Sequence, residues 1–207
     1  MTAPGPALTA FYELASTYSY LAVMRLQDAA ARAGVTIAWR PFLLGPIFKA
    51  QGWDTSPFNL YPAKGRYMWR DMARRCAAAG LPLVPPSPFP ANGLLAARAI
   101  TALADDGDRP RATRALFRTA FGTGRDIADP AVVRDALDGA GLEGAALVAR
   151  AADPAVKAAL RAATDAAVDA GVFGAPSFVT ADGELFWGDD RLEDALAWAT
   201  EGALPAR

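Results

Sequence analysis

Few residues in this sequence can do chemistry, and the missing types narrow the field as much as those present. The 207-residue chain holds no histidine and one cysteine, Cys76. Without imidazole there is no Ser-His-Asp triad, no Cys-His pair and no histidine metal ligand. A lone thiol makes no intramolecular disulfide, no dithiol redox pair and no thiolate zinc site, so thiol-disulfide cycling is excluded and no metal is expected. What remains are hydroxyls, carboxylates, Lys, Arg, backbone dipoles and any reagent that a ligand brings.

Four segments concentrate those groups. Ser16 opens Ser16-Thr17-Tyr18-Ser19, directly after a strand-like run. A hydroxyl there caps a helix, and the helix N-terminus, with its unpaired N–H groups and positive potential, favours an anion beside it. With no protein thiol at that place, the anion in view is a thiolate carried by a ligand. A free thiol ionises near about 8.5, and each unit of lowering takes roughly 1.4 kcal/mol, within reach of a hydrogen bond plus the dipole. Capping alone and capping with catalysis both fit the position.

Ala175-Pro176 precedes a predicted strand. It reads either as a plain trans turn or as a cis bond that leaves the preceding N–H and C=O facing a groove, where they pair with an extended peptide-like ligand. Gly188-Asp189-Asp190-Arg191 opens the last predicted helix, where Asp is a favoured cap. A ligand role adds a carboxylate on the free N–H groups and an ammonium on Asp190, the two halves of an α-amino acid head. Lys64 follows Asn59-Leu60-Tyr61-Pro62-Ala63 and starts a helix bearing Arg66, Arg70, Arg74 and Arg75. A cation at a helix start opposes the dipole, so Lys64 is mildly unexpected there as a purely structural choice, and it and the arginines could pair with anionic ligand groups. The arginines read mainly as a solvated face, Tyr67, Met68, Trp69 and Met72 as core packing, and Cys76 as an inert thiol.

The elements that must position these groups follow from patterning. Leu8–Leu14 is a short aromatic-rich strand, the hydroxyl cluster starts a helix that Gly34 ends, and Val35–Phe42 alternates as a second strand. Strand, helix and strand in about 35 residues form a right-handed βαβ unit with parallel strands. At the other end, Asp153-Pro154 opens an Ala-rich helix running towards Gly171, followed by strand 177–180, an Asp182-Gly183 hairpin turn, strand 184–187 and a final helix. Between them, helical patterns cover 64–79, 92–104, 111–121 and 130–138, separated by Pro/Gly-rich connectors and without a strand. The order predicts an α/β thioredoxin-like fold, residues 1–43 plus 153–207, with an all-helical domain, 44–152, inserted after the second strand.

Bulk properties agree with a folded globular chain: 53% hydrophobic residues, 21% charged, and a formal net charge of -1. That balance argues against nucleic acid or an anionic membrane surface as partner. No apolar run reaches the roughly 18 to 20 residues of a membrane span, and no Lys or Arg precedes Arg25, so neither a spanning helix nor a secretory signal is expected and the predicted location is cytoplasmic.

Taken in order, ASTYSYLA, PAKGRYMWRD, GVFGAPSFV and FWGDDRL resemble the 2-hydroxychromene-2-carboxylate isomerase family and the related kappa-class glutathione transferases, branches of the DsbA-like thioredoxin group. The resemblance spans nearly the whole chain and implies glutathione as cofactor. It makes Ser16 the catalytic serine at the glutathione sulfur and Ala175 a backbone hydrogen-bonding residue before a cis Pro176. It places Asp189, Asp190 and Arg191 at the γ-glutamyl end and Lys64 at the other end of the tripeptide. The family proline after the serine is Thr17 here, and the transferase-like asparagine nine positions before the lysine is Thr55, for which Asn59 can substitute. The activity implied is isomerisation of an aromatic small molecule, 2-hydroxychromene-2-carboxylate, to trans-o-hydroxybenzylidenepyruvate by transient thiolate addition, in a homodimer. The alternatives are a kappa-like transferase that conjugates electrophiles and a non-catalytic DsbA-like scaffold that binds peptides.

Overall fold

The computed structural model describes residues 7–204. The first six and last three positions of the predicted segments 1–43 and 153–207 lie outside the described residues.

Strand β1 (Ala7–Tyr12), helix α1 (Thr17–Ala33) and strand β2 (Thr36–Pro41) form the expected parallel unit, with Ala10 facing Trp39 across the ladder. Ser16 is the N-cap of α1, and Gly34, at φ 67°, closes it by donating its N–H to the carbonyls of Ala30 and Ala31. The sheet is completed by β3 (Ser177–Thr180) and β4 (Leu185–Trp187), in the order β2-β1-β3-β4, with β1/β3 and β3/β4 antiparallel. Gly183, at φ 89°, turns the hairpin between the last two strands. This is the predicted thioredoxin-like arrangement.

Between β2 and β3 the described residues are helical or irregular. The helices are α2 (Leu44–Ala50), α3 (Pro57–Leu60), α4 (Pro62–Ala78), α5 (Leu94–Thr101), α6 (Arg109–Phe117), α7 (Pro130–Gly139), α8 (Gly144–Arg150) and α9 (Pro154–Asp169). Capping chemistry sets several starts: Ser56-Pro57 and Asp129-Pro130 pair a side-chain cap with a first-turn proline whose missing N–H costs nothing there. The expected helix 111–121 starts earlier, at Arg109, and after Phe117 widens into a π-turn over Arg118–Gly122. The widening keeps Phe117 and Phe121 stacked with each other and with the buried Tyr20 of α1. Helices α2, α3 and α8 went unpredicted because each is short and flanked by Pro or Gly.

A 3-10 turn, Asp189–Arg191, leads into α10 (Leu192–Glu201), so the final helix starts after the aspartates rather than on them. One buried apolar cluster joins Leu8, Tyr12, Tyr20 and Leu26 of the sheet region to Met68, Met72, Ile100, Phe117, Val133 and Leu137 of the helical segment. No helix among the described residues is long and apolar enough to cross a membrane.

Candidate active site

The loop that leaves β1 is held from below. Tyr12 is buried, with its hydroxyl 2.8 Å from that of Thr113, and its carbonyl accepts the Phe42 N–H. Four residues on, the Ser16 N–H donates to the Glu13 carbonyl, a tight turn that sets Ser16 at the start of α1 in extended conformation, φ −83° and ψ 119°. The Ser16 hydroxyl accepts the Ser19 N–H at 3.2 Å, which is the cap, and donates to the Ala175 carbonyl at 3.0 Å, 159 residues away. The Ala175-Pro176 bond is cis. The Ser16 side chain and the backbone before the cis proline therefore touch directly.

Above this junction lies a cavity of about 1630 Å³, larger than the few hundred to about a thousand Å³ of a typical small-ligand pocket. Its walls come from the β1–α1 loop, α2 and the segment after it, the first turns of α4, the loop before α5, and the turns on either side of β3 and β4. Of the residues singled out in the sequence, Ser16, Lys64, Ala175, Asp189 and Asp190 line it, whereas Asn59, Pro176 and Arg191 do not.

The placements refine several expectations. Asn59 donates to the Thr55 hydroxyl and to the Phe89 carbonyl, both at 3.1 Å, so it ties α3 to the proline-rich loop while Thr55 itself faces the cavity. Asp189 is 2% exposed, and its carboxylate is held by both terminal nitrogens of Arg75, at 2.8 and 2.5 Å. Burial raises its pKa to about 6, opposed by Arg75 and then Arg25. Arg25 also donates to the Asp189 carbonyl and pairs with Glu193. Asp189 is thus an anchor between α4 and the turn before α10, and its carboxylate already has its cation. Asp190 is exposed, its carboxylate folded over Gly188, where a Cβ would come within 2.6 Å of Oδ1; Gly188, at φ 114°, is required at that turn. Arg191 turns away to Asp194, at 2.9 Å, and Asp190, at 3.7 Å.

On α4, Met68 and Met72 are buried as expected, and Cys76 is buried beside them, which raises its thiol and leaves it unreactive. Tyr67 departs from that expectation: it is 62% exposed and faces the cavity, because it lies one position off the buried 68/72/76 stripe. Lys64 Nζ sits 5.2 Å from the Tyr61 ring centroid. Lys49 of α2 is a second exposed cavity lysine, and neither lysine has an ion pair among the described residues.

Two further polar groups stand at the cavity floor, Thr17, already marked in the sequence as a second hydroxyl beside Ser16, and Glu13, which sequence reasoning missed. Thr17, 1% exposed, has a hydroxyl without a hydrogen-bond partner. Glu13 lines the cavity with a carboxyl that burial raises to about 7, opposed by the Ala15 N–H that donates to it at 2.9 Å. Glu13 is the one charged residue in the run from Leu8 to Ala15, a signal that was open to reading. Tyr18 donates to Asp71 at 3.1 Å, and burial followed by that carboxylate keeps its phenol firmly protonated.

Comparison with known proteins bears on the family and the fold. The chain is 33% identical over 185 residues to a 2-hydroxychromene-2-carboxylate isomerase from Sphingobium xenophagum, covering 88% of this chain and 92% of the relative. A solved 2-hydroxychromene-2-carboxylate isomerase superposes with a TM-score of 0.79 at 25% identity over 90% of each chain. A kappa 1 glutathione S-transferase of Caenorhabditis elegans is 33% identical over 85 residues, 41% of this chain and 37% of that protein. The DSBA-like thioredoxin domain is matched over residues 7–197, from the first residue of β1 into the last helix. The serine-capped helix and cis-proline strand thus sit in a known frame, and the chain belongs to the DSBA-like thioredoxin domain family.

Proposed function

We propose that this protein is a glutathione-dependent isomerase of aromatic-degradation intermediates, interconverting 2-hydroxychromene-2-carboxylate and trans-o-hydroxybenzylidenepyruvate. The observation that carries the reading is the Ser16–Ala175 junction at the floor of one large cavity, a helix-capping hydroxyl beside the backbone before a cis proline. The isomerase relative, matched over nearly the full length of both chains, supports the reaction class, and the kappa transferase relative supports the thiol.

The residues present fit glutathione. The buried, unpartnered Thr17 hydroxyl and the Ser16 hydroxyl stand together at the start of α1, where the dipole favours an anion. Ala175 offers a backbone N–H and carbonyl for an extended peptide, Asp190 an exposed carboxylate for an ammonium, and Lys64 a cation for a carboxylate. When bound, glutathione supplies a thiolate nucleophile that adds to the conjugated substrate and later leaves. The chain's own part is to lower the cost of that anion and to orient two ligands in one cavity, which together can contribute several kcal/mol of barrier lowering. Lys49, with Phe48 and Trp53 beside it, would hold the carboxylate and ring of the aromatic partner.

Calorimetric titration with glutathione and S-methylglutathione tests the site. Binding is expected to weaken in Asp190→Ala, and Ser16→Ala is expected to lose the difference between the two ligands. Product analysis then separates the isomerase from a kappa-like transferase, the reading favoured by the second relative: isomerisation returns glutathione, conjugation consumes it. No binding of either ligand by folded protein would sink both.

A further inference from the structure

A chain that must form a thiolate has to place the thiol proton somewhere, and this chain has no histidine to receive it. We propose that Glu13 is the proton acceptor of the site: its carboxylate takes the proton of the bound thiol and returns it when the cycle closes. The proposal rests on the glutathione reading above and extends it to a residue on the β1–α1 loop.

The geometry is specific. Glu13 and Ser16 line the same cavity and belong to one turn, closed by the Ser16 N–H on the Glu13 carbonyl. One carboxyl oxygen, Oε2, is fixed by the Ala15 N–H, and Oε1 makes no hydrogen bond with the described residues. Opposite Oε1 stands Gly93, where a Cβ would lie 3.4 Å from that oxygen and 2.9 Å from the Leu14 Cβ. A glycine there lets the start of α5 close over the carboxyl without covering it. The charged groups that share the cavity are Lys49 on α2, Asp54 after it, Lys64, Asp71 and Arg75 on α4, and Asp189 and Asp190 before α10. Asp189 is neutralised by Arg75, and the Glu13 shift comes from burial, with no cation set against it. A carboxyl so placed changes protonation near neutral pH, the range in which a general base works best.

The transfer is balanced within the site. The S–H bond breaks with its electron pair staying on sulfur, and an O–H bond forms on Glu13. When the thiolate is released from the substrate, the same proton moves back to sulfur, so no co-reactant is consumed.

The test counts protons rather than turnover. Glutathione and S-methylglutathione are titrated calorimetrically into the intact protein in buffers of different ionisation enthalpy, and the difference between the ligands gives the thiol proton released to solvent. For the wild type at about pH 8, where Glu13 is ionised, the expected release is close to zero because the carboxylate keeps the proton. Below the Glu13 midpoint of about 7, the release should rise towards one per site. Glu13→Gln should release close to one on both sides. Equal counts in wild type and variant, or a wild-type count that does not change across the midpoint, overturn the assignment while leaving glutathione binding intact. Should Glu13→Gln fail to fold, the wild-type pH series decides alone. Absence of glutathione binding by the folded wild type is a different failure, since it removes the reading beneath the proposal.

Discussion

The Ser16 hydroxyl donates to the Ala175 carbonyl while accepting the Ser19 N–H, so one side chain joins the first helix to the strand that closes the site. On the proposed function, a ligand amide docked on Ala175 would compete for the same carbonyl and free the Ser16 proton for an anion. Ser16→Ala should therefore act twice. Loss of the cap lowers stability by about 1 kcal/mol, read by urea denaturation. On the proposed function, loss of the donor should lower turnover by about a hundredfold, typical of removing one donor from a developing anion. A variant with the stability loss and full turnover would reduce Ser16 to a cap.

Thr17 separates ligand chemistry from packing. Its buried hydroxyl has no partner, a deficit that costs about 1 kcal/mol or more. Thr17→Val is expected to raise the melting temperature of the ligand-free protein and to weaken glutathione more than S-methylglutathione. Thr17→Pro should be tolerated as well, because position 17 is the first residue of α1 and Ser16 already has the extended backbone that a following proline demands.

The Arg75–Asp189 pair binds α4 to the turn before α10. Arg75→Met leaves a buried carboxylate without its cation and should cost about 3 kcal/mol in chemical denaturation. Asp189→Asn keeps the shape and an acceptor and should cost less than half as much. Equal, small losses in both would show the pair to be peripheral to stability.

Stability should fall as pH rises from about 5 to about 8. Glu13 titrates at 4.5 ordinarily and at about 7 when folded, so the native state holds the proton more tightly. That contribution is full below the unfolded value and is lost as pH rises through the folded one. Asp189, raised from 3.8 to about 6, acts with the same sign at lower pH. Melting temperatures across the range check it: Glu13→Gln should flatten the upper part of the slope and Asp189→Asn the lower.

What the sequence made legible was local. Ser16 as a helix cap and the Asp182-Gly183 turn each carry their geometry in a few adjacent residues, whereas the residues alone left Ala175-Pro176 open between trans and cis. Relationships across distance were hidden: nothing near Asp189 announces Arg75, 114 residues earlier, as its partner. Burial was hidden too. Glu13 looks like an ordinary polar residue at a strand end until Gly93 is seen to close over it, and Tyr67 shares the composition of the buried stripe that it does not join. The cis bonds at Ser87-Pro88 and Phe89-Pro90 were likewise unreadable in a connector dense with proline.

The apolar cluster shared by the sheet, the first helix and helices α4 to α7 has a thermodynamic consequence. Tyr20 stacks on Phe117 and Phe121, so the first helix and the inserted helices complete one another's interior. Melting should then be cooperative across the chain, one calorimetric transition in place of two. Helix α4, which forms part of the cavity wall, cannot loosen without loosening the strand and loop that present Ser16, so the wall and the floor of the cavity share one fate on heating.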